Sequence, residues 1–326
     1  MRSSAAGYAH ATYAESLGEF GVPRALGRSG GWLLERTTPD GASRDAMGPY
    51  PLFSCTEWSG LRSDLDAIGS ALVSVVLVAD PFGPEDVGIL ERTFNRGAVP
   101  FKQHHVVAFE KPLETTISSH HRRNVRKALR LVDVERVENP ATVLDDWVGL
   151  YRTLVERHSI TGISAFSRAS FEIQLRTPGV EAFRAIAGGD TVGIVLFYVH
   201  HNVAYYHLAA YSDRGYQTGA AFAIFWTALH DLSTRVDAVS LGGDVGIGAT
   251  EGGLSRFKRG WASESRTAFL CKHVCDAERY ADLSKRYPAT SFFPAYRQPE
   301  ILRSSGPDEG TDRQCSDSEC ADETIG

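Results

Sequence analysis

The sequence is short of long apolar runs and of cysteine. Its longest hydrophobic stretch, at residues 71–78, has the length of a β-strand and not the ~20 residues that a membrane span needs. Residues 1–8 lack the apolar core of a signal peptide, and the five cysteines are too scattered to form a disulfide framework. These absences favour a cytoplasmic protein that has no membrane partner.

The sequence also lacks a complete set of metal ligands. Cys271, His273 and Cys275 would share one face of a strand, but no fourth ligand is evident beside them. Cys315 and Cys320 lie in an acidic, polar tail, residues 303–326, which we predict to be disordered. From residue 304 onward this tail has seven acids and one base, so the rest of the chain is close to neutral although the whole has a net charge of −6. We predict no metal site.

Lysine is scarce, because only six of the 34 basic residues are lysines. One of them, Lys258, stands in Leu-Ser-Arg-Phe-Lys-Arg-Gly-Trp at residues 254–261, just after a glycine-rich segment at 241–248. A compact ammonium can meet a phosphate or a developing oxyanion without the fixed geometry of a guanidinium. The segment therefore indicates a site that grips an anion and stacks a flat group. Alternatively, Phe257 and Trp261, four residues apart, form the core face of a short helix and Lys258 is solvated.

A second basic segment lies in a helix predicted over residues 112–132. Five bases fall within residues 122–130, and Arg122, Arg126 and Arg130 align on one stripe of the helix. Because acids are not interleaved with these bases, the pattern favours an anion-binding helix over an ordinary solvated face. We expect a phosphate-bearing partner to contact Arg122, Arg123, Arg126 and Lys127.

The remaining pattern predicts an α+β fold with mixed, mostly antiparallel sheets flanked by helices. A long helix is predicted from Asn139 to about residue 159, followed by a short helix and a β-meander at 180–187, 191–200 and 203–212. A helix at 217–234, a strand at 236–241, the short helix at 254–261 and a strand at 266–272 complete the order.

This order and two motifs resemble the Fem-type branch of the Gcn5-related N-acyltransferase (GNAT) superfamily. Residues 119–128 read Ser-His-His-Arg-Arg-Asn-Val-Arg-Lys-Ala, where that branch typically has Ser-Lys-x-Arg-x-Asn-Ile-Arg-Lys-Ala. Leu-Gly-Gly at 241–243 and Phe-Lys at 257–258 match a second motif of the branch. The resemblance, over roughly residues 50–290, implies two tandem GNAT-like domains. We place them at 21–132 and 133–290, after a weakly structured segment at 1–20.

The resemblance implies transfer of an aminoacyl group from a transfer RNA to an amine. GNAT members that use coenzyme A cradle its pyrophosphate with Arg/Gln-x-x-Gly-x-Gly/Ala, but here residues 214–219 read Arg-Gly-Tyr-Gln-Thr-Gly. Gln217 replaces the middle glycine, and its side chain would hinder close approach of the backbone to a phosphate. We therefore expect no cofactor and aminoacyl-tRNA as the co-substrate, with a coenzyme A thioester as the alternative.

The resemblance also suggests roles for individual residues. Lys258 is expected to face the ester or the terminal phosphates, and Phe257 to pack on a terminal base or sugar, because the corresponding pair in Fem-type proteins is associated with the acceptor end of the tRNA. The predicted donor-binding residues are Arg214, Arg256, Phe257, Lys258, Arg259 and Trp261. Candidate general bases are Asp244, Glu251 and His207, and the substrate or water is the alternative route for the proton. A histidine among aromatic residues is more often part of the core. Strict alternation places Tyr205 and Tyr211 on the face of His207 and Tyr206 on the other. The predicted acceptor-binding residues are Tyr206, Tyr211 and Glu251.

Three functions remain open at this point. The first is an N-acyltransferase that forms an amide between an aminoacyl group from tRNA and a small-molecule or peptide amine. Arginine- and alanine-rich usage, typical of GC-rich bacterial genomes, suggests specialised-metabolite (antibiotic) biosynthesis as its setting. The second is an N-acyltransferase that depends on acyl-CoA or a carrier protein. The third is a non-catalytic RNA-binding protein with a GNAT fold. None of them involves DNA.

Overall fold

The computed structural model describes residues 5–84, 86–243, 252–287 and 292–298. Their strands, in chain order, are β1 (Val22–Ala25), β2 (Trp32–Thr37), β3 (Arg44–Met47), β4 (Ser74–Ala79), β5 (Ala98–Ala108), β6 (Asp133–Val137), β7 (Val180–Ala187), β8 (Asp190–His200), β9 (Val203–Tyr211), β10 (Ala238–Ser240) and β11 (Glu264–Val274). The helices are α1 (Ala11–Ser16), α2 (Leu61–Ile68), α3 (Gly88–Thr93), α4 (Leu113–Thr116), α5 (Ser119–Ala128), α6 (Leu144–His158), α7 (Arg168–Gln174), α8 (Asp213–Thr218), α9 (Ala220–Leu232), α10 (Gly253–Trp261) and α11 (Ala277–Ser284).

The described residues form two compact units. The first contains those of residues 1–101, 161–166 and 267–312, and the second contains those of 102–160 and 167–266. This division differs from the predicted boundary after residue 132. The basic helix α5 packs on α9 and so belongs to the second unit. Residues 269–274 of β11 pair with β4 and so belong to the first unit.

The first unit is built on a sheet in which β1, β2 and β3 are antiparallel neighbours and β3 runs parallel to β4. Its core includes Leu33, Phe53 and Leu65. The weakly structured segment predicted at 1–20 is corrected over its described residues, because α1 lies there with Tyr13 and Leu17 buried. The Tyr13 hydroxyl donates to the carbonyl oxygen of Tyr50 at 2.5 Å, which fixes the segment to the rest of the unit.

The second unit has the strand order β5-β10-β9-β8-β7-β6. The meander β7–β9 is antiparallel, whereas β9 and β10 run parallel. Helix α9 covers one face of the sheet and packs on Phe183, Phe197 and Val239. On the other face the Tyr198 hydroxyl donates to the carbonyl oxygen of Gln174, at the end of α7, at 3.2 Å.

A β-bulge in β9 changes which side chains share a face. Phe197 pairs with Tyr206 and Leu196 pairs with Leu208, so His207 is an extra residue in β9. Tyr206 and Tyr211 consequently both pack towards the α9 side of the sheet. This corrects the predicted alternation, which put Tyr211 with His207 and Tyr206 on the opposite face.

Among the described residues, no helix is both long and apolar enough to cross a membrane. The same part of the chain contains no cluster of three or more His, Cys, Asp or Glu side chains arranged to hold a metal ion.

Candidate functional site

Lys258 lies where two parallel strands of the second unit separate. The ladder between β10 and β9 ends at the pair Ser240–Tyr205, while β9 continues to Tyr211. Gly242, in the left-handed region at φ +77°, turns the chain immediately after β10. Lys258 Nζ lies 5.8 Å from the centre of the Tyr206 ring and donates to the carbonyl oxygen of Gly243 at 2.6 Å. The carboxyl ends of parallel strands are where open α/β sheets bind ligands, and the ammonium occupies such an end.

The burial of Lys258 is unusual for a lysine, because only 5% of it is exposed. Its charge acts on neighbouring groups. The pKa of His104 falls to about 3, mainly because the ring is buried and further because of the positive charges of Lys258 and Lys102. His104 Nδ1 in turn lies 3.2 Å from Ser240 Oγ. The end of β10 therefore brings a buried ammonium, a neutral histidine and a serine hydroxyl close together.

Lys102, His104 and Ser240 were not identified from the sequence. A Cβ at Gly243 would lie 3.0 Å from the Cβ of Lys102, so the glycine segment packs closely against the stem of this lysine. Lysine scarcity is the signal that could have identified Lys102, as it did Lys258. Neither His104 nor Ser240 has a sequence signal that distinguishes it from other strand residues.

Phe257 and Trp261 are core residues, as the alternative interpretation of their spacing held, and this corrects the predicted stacking of Phe257 on a base or sugar and the predicted binding of the donor by Trp261. Phe257 is 3% exposed and Trp261 is fully buried. The Phe257 ring lies 5.2 Å from that of Phe222 and 5.0 Å from that of Phe225, and the Trp261 ring stacks on Phe225 at 6.0 Å. One strongly amphipathic helix thus places two aromatic rings in the core, and Lys258 beside them is buried rather than solvated.

His207 also belongs to the core, and this corrects its prediction as a general base. Its Nε2 lies 3.0 Å from Gln174 Oε1, and its ring lies 4.9 Å from that of Tyr198. Burial lowers the pKa of His207 to about 3. Through the bulge it faces α7, whereas Tyr206 and Lys258 lie together on the other side of β9.

Tyr206 and Tyr211, predicted to bind the acceptor, form a cluster with Tyr216. The Tyr211 ring lies 5.7 Å from that of Tyr216, and burial raises the pKa of both Tyr206 and Tyr211. Within the described residues the buried hydroxyl of Tyr211 has no hydrogen-bond partner. A buried, unpaired hydroxyl is costly unless a ligand or water satisfies it.

The four basic residues predicted to bind phosphate are all exposed on α5. Ser118 caps this helix by accepting a hydrogen bond from the amide of His121 at 3.1 Å. Its opposite face, with Val125 and Ala128, packs into the core around α9. These four residues are Arg122, Arg123, Arg126 and Lys127. In the part of the chain that the structure describes, none of them forms an ion pair with a carboxylate.

The remaining predicted residues are divided among several places. Arg214 braces the β7–β8 hairpin, because its guanidinium lies over Gly188 and 3.7 Å from Asp190 Oδ2. Arg256 and Arg259 lie on the exposed side of α10. Asp244 and Glu251 lie outside the described residues.

The segment that corresponds to the pyrophosphate loop forms the short helix α8. The amide of Gly215 donates to Ser212 Oγ, that of Tyr216 to the carbonyl oxygen of Ser212, and that of Gly219 to the carbonyl oxygen of Tyr216. A Cβ at Gly215 would overlap the carbonyl oxygen of Val192, so glycine is required there for packing. Gln217 is exposed.

The second unit is similar to a known class of acyltransferase domain. Residues 118–259 match the family model described as an acetyltransferase (GNAT) domain. No curated protein matches the sequence. The fold as a whole is similar to that of the solved structure of FemX, with a TM-score of 0.62 at 15% identity over 83% of this chain and 92% of that one.

Two further structures have a similar fold. The C-terminal domain of a putative lysylphosphatidylglycerol synthetase from Agrobacterium fabrum gives a TM-score of 0.56 at 12% identity, over 79% of this chain and 84% of that one. L-PGS from Bacillus licheniformis gives 0.51 at 13% identity, over 84% of this chain and 94% of that one. The predicted α+β fold is confirmed, and in fold the chain is similar to FemX, in keeping with the predicted resemblance.

Proposed function

We propose that the protein is an N-acyltransferase that moves an aminoacyl group from a charged tRNA to the amine of a small molecule or peptide. The observation that carries the proposal is one arrangement in the second unit. Helix α5 presents four exposed basic residues that have no carboxylate partner among the described residues. It packs against α10, which holds Lys258 buried at the end of β10. An exposed basic surface suits a polyanion, and a buried ammonium suits an oxyanion.

The proposed reaction needs little chemical activation, because an aminoacyl-tRNA is already an activated ester. The acceptor amine attacks the ester carbonyl and forms a carbon–nitrogen bond, which leaves a negative charge on the carbonyl oxygen. Collapse of this intermediate breaks the ester carbon–oxygen bond, and the ribose hydroxyl of the tRNA leaves with the proton that the amine gives up. Lys258 would stabilise the oxyanion in a setting that excludes water. Because His207 is in the core, we assign the proton transfer to the substrate or to water.

The other residues of the site have binding roles in this proposal. Arg122, Arg123, Arg126 and Lys127 contact phosphates of the tRNA. Tyr206 and Tyr211 line the acceptor side, where the unpaired Tyr211 hydroxyl offers a hydrogen bond to a polar group. The acceptor would come from specialised-metabolite biosynthesis.

An acyltransferase that uses acyl-CoA is the second candidate, and the match of residues 118–259 to an acetyltransferase model favours it. The geometry of α8 weighs against it. The amides of Gly215, Tyr216 and Gly219, which a pyrophosphate would need, already donate to acceptors within the chain. Titration calorimetry with coenzyme A separates the two candidates, since micromolar binding would favour the acyltransferase that uses acyl-CoA. A non-catalytic RNA-binding protein is the third candidate and would retain tRNA without removing its acyl group.

The first test is to purify the protein, sequence the RNA that accompanies it, and assay transfer from that tRNA when it carries a labelled amino acid. Lys258→Ala should lower kcat by roughly 10²–10³-fold, the usual cost of losing one oxyanion donor, while the affinity for tRNA stays the same. Lys285→Ala removes an exposed lysine and is the matched control. Full turnover by Lys258→Ala would exclude the proposed role of this lysine.

A further inference from the structure

His121 is buried at the junction between the basic helix and the helix that carries Lys258. It lies in the first turn of α5 and is 4% exposed, although its neighbour His120 is exposed. Its ring packs edge-on against Trp261 at 5.0 Å and against Phe222 at 5.1 Å. All of these residues belong to the second unit.

The hydrogen bonds of His121 define its tautomer. Nε2 lies 2.8 Å from the carbonyl oxygen of Phe257, and Nδ1 lies 3.0 Å from Ser118 Oγ. A carbonyl oxygen can only accept, so Nε2 carries the proton and Nδ1 accepts from the Ser118 hydroxyl. Burial lowers the pKa of this histidine to about 4, which keeps the ring neutral at physiological pH.

These contacts reach α10 on both sides of Lys258. His121 bonds to Phe257, the residue before the lysine, and the amide of Ser118 donates to the carbonyl oxygen of Gly260, two residues after it, at 2.9 Å. A Cβ at Gly260 would overlap the His121 ring, so the absence of a side chain there lets the two helices meet. The N-terminal turn of α5 therefore fixes the segment of α10 from which Lys258 extends to Gly243.

We infer that His121 is a positioning residue that holds Lys258 in place by tying α10 to the tRNA-binding helix α5. The inference rests on the proposed function and deepens it. Because it is buried, His121 would contact neither the substrate nor the reacting atoms, and it would act by fixing the backbone from which the ammonium extends. A displacement of about 1 Å in a catalytic group lowers turnover by as much as ~10²-fold.

Three full-length variants test this role. His121→Phe keeps an aromatic ring and removes both hydrogen bonds, whereas His121→Gln retains an N–H donor that can reach the carbonyl oxygen of Phe257. His120→Phe is the matched control, because it changes the adjacent, exposed histidine of the same helix. Thermal unfolding of each variant shows whether it has folded, and Ser118→Ala replaces His121→Phe should the latter fail to fold.

The first readout is release of the amino acid from bulk tRNA charged with a labelled amino-acid mixture, in the presence of a panel of small amines. We expect His121→Phe to lower kcat by about 10²-fold with KM for tRNA unchanged, His121→Gln to recover much of the loss, and His120→Phe to match the wild type. A kcat that is unchanged in His121→Phe would overturn the inference, as would an effect on KM alone.

The second readout does not depend on catalysis. Reductive methylation followed by mass spectrometry reports how readily the buried Lys258 is labelled relative to the exposed Lys285. We expect several-fold faster labelling of Lys258 in His121→Phe than in the wild type or in His120→Phe. If the wild type releases no amino acid, the proposed function fails while labelling still decides the positioning role. Equal labelling in all variants would contradict that role.

Discussion

Helices α5 and α10 of the second unit both carry basic residues that the sequence singles out. Those of α5 point towards solvent, whereas Lys258 of α10 points into the protein. The outward face of α5 presents Arg126 and Lys127 to solvent, and neither forms an ion pair in the described part of the chain. The inward face of α10 buries Lys258, whose ammonium meets the carbonyl oxygen of Gly243. In the proposed function, the first arrangement attracts a large anion from a distance and the second acts on one atom at short range.

Several other exposed arginines of the second unit form ion pairs. Arg235 and Arg136 both contact the buried carboxylate of Glu181, at 2.5 Å and 3.2 Å. Arg168 contacts Asp145 at 2.6 Å. Against this background, the unpaired face of α5 is a distinct surface and not the general state of the protein's arginines.

The largest expected effect concerns the inward face of α10. Phe257→Ala should lower the free energy of unfolding by about 3–5 kcal/mol, because it empties a site among Phe222, Phe225 and Trp261. Urea unfolding measures this change. Phe257→Leu, which leaves a smaller void, serves as the milder control. A variant that keeps its stability but loses tRNA affinity would reverse the comparison and restore Phe257 as a stacking residue.

The strands of the second unit could be predicted from the sequence, but the placement of their side chains could not. Alternating apolar residues and short turns predicted strands at 180–187, 191–200 and 203–212, and the structure has β7, β8 and β9 within one residue of these bounds. Hydrophobic alternation does not show an inserted residue. The bulge at His207 therefore remained invisible, and with it the shared face of Tyr206 and Tyr211.

The candidate site was only partly predictable for a related reason. The scarcity of lysine in the sequence singled out Lys258. The four-residue spacing of Phe257 and Trp261 allowed Phe257 to be either a core residue or a stacking residue. The role of His121 depends on Phe257, which is 136 residues further along the chain. Sequence periodicity describes one helix at a time, so it cannot show which two helices meet at a glycine such as Gly260.

Acid should destabilise the folded protein through its buried histidines. Burial lowers the pKa of His104 and His207 from 6.5 to about 3, so the folded protein keeps both rings neutral. Below pH 6.5 the unfolded chain binds protons that the folded chain does not, and stability falls as the pH falls from 6.5 towards 3. At pH 5 each histidine costs about 2 kcal/mol relative to pH 7.

Urea unfolding at pH 7 and pH 5 measures this loss. His207→Gln can still hydrogen-bond to Gln174 and does not titrate, so it should reduce the difference between the two pH values by the share of one histidine. The exposed His120→Gln is the control and should leave the difference unchanged. Stability that is equal at both pH values in the wild type would contradict the burial of neutral histidines.

The smallest expected effect concerns the outward face of α5, where each proposed contact with tRNA would be exposed to solvent. Arg126→Ala combined with Lys127→Ala should weaken tRNA binding and reduce the slope of log Kd against log salt by about 2, since each phosphate contact releases about one counterion. Filter binding at several salt concentrations measures both quantities. The control replaces Arg168 and Arg152 by alanine, because these exposed arginines lie beside Asp145 and Glu156. Equal slopes in the two double variants would mean that the unpaired face of α5 is an ordinary solvated surface, and tRNA would then have to approach Lys258 by another route.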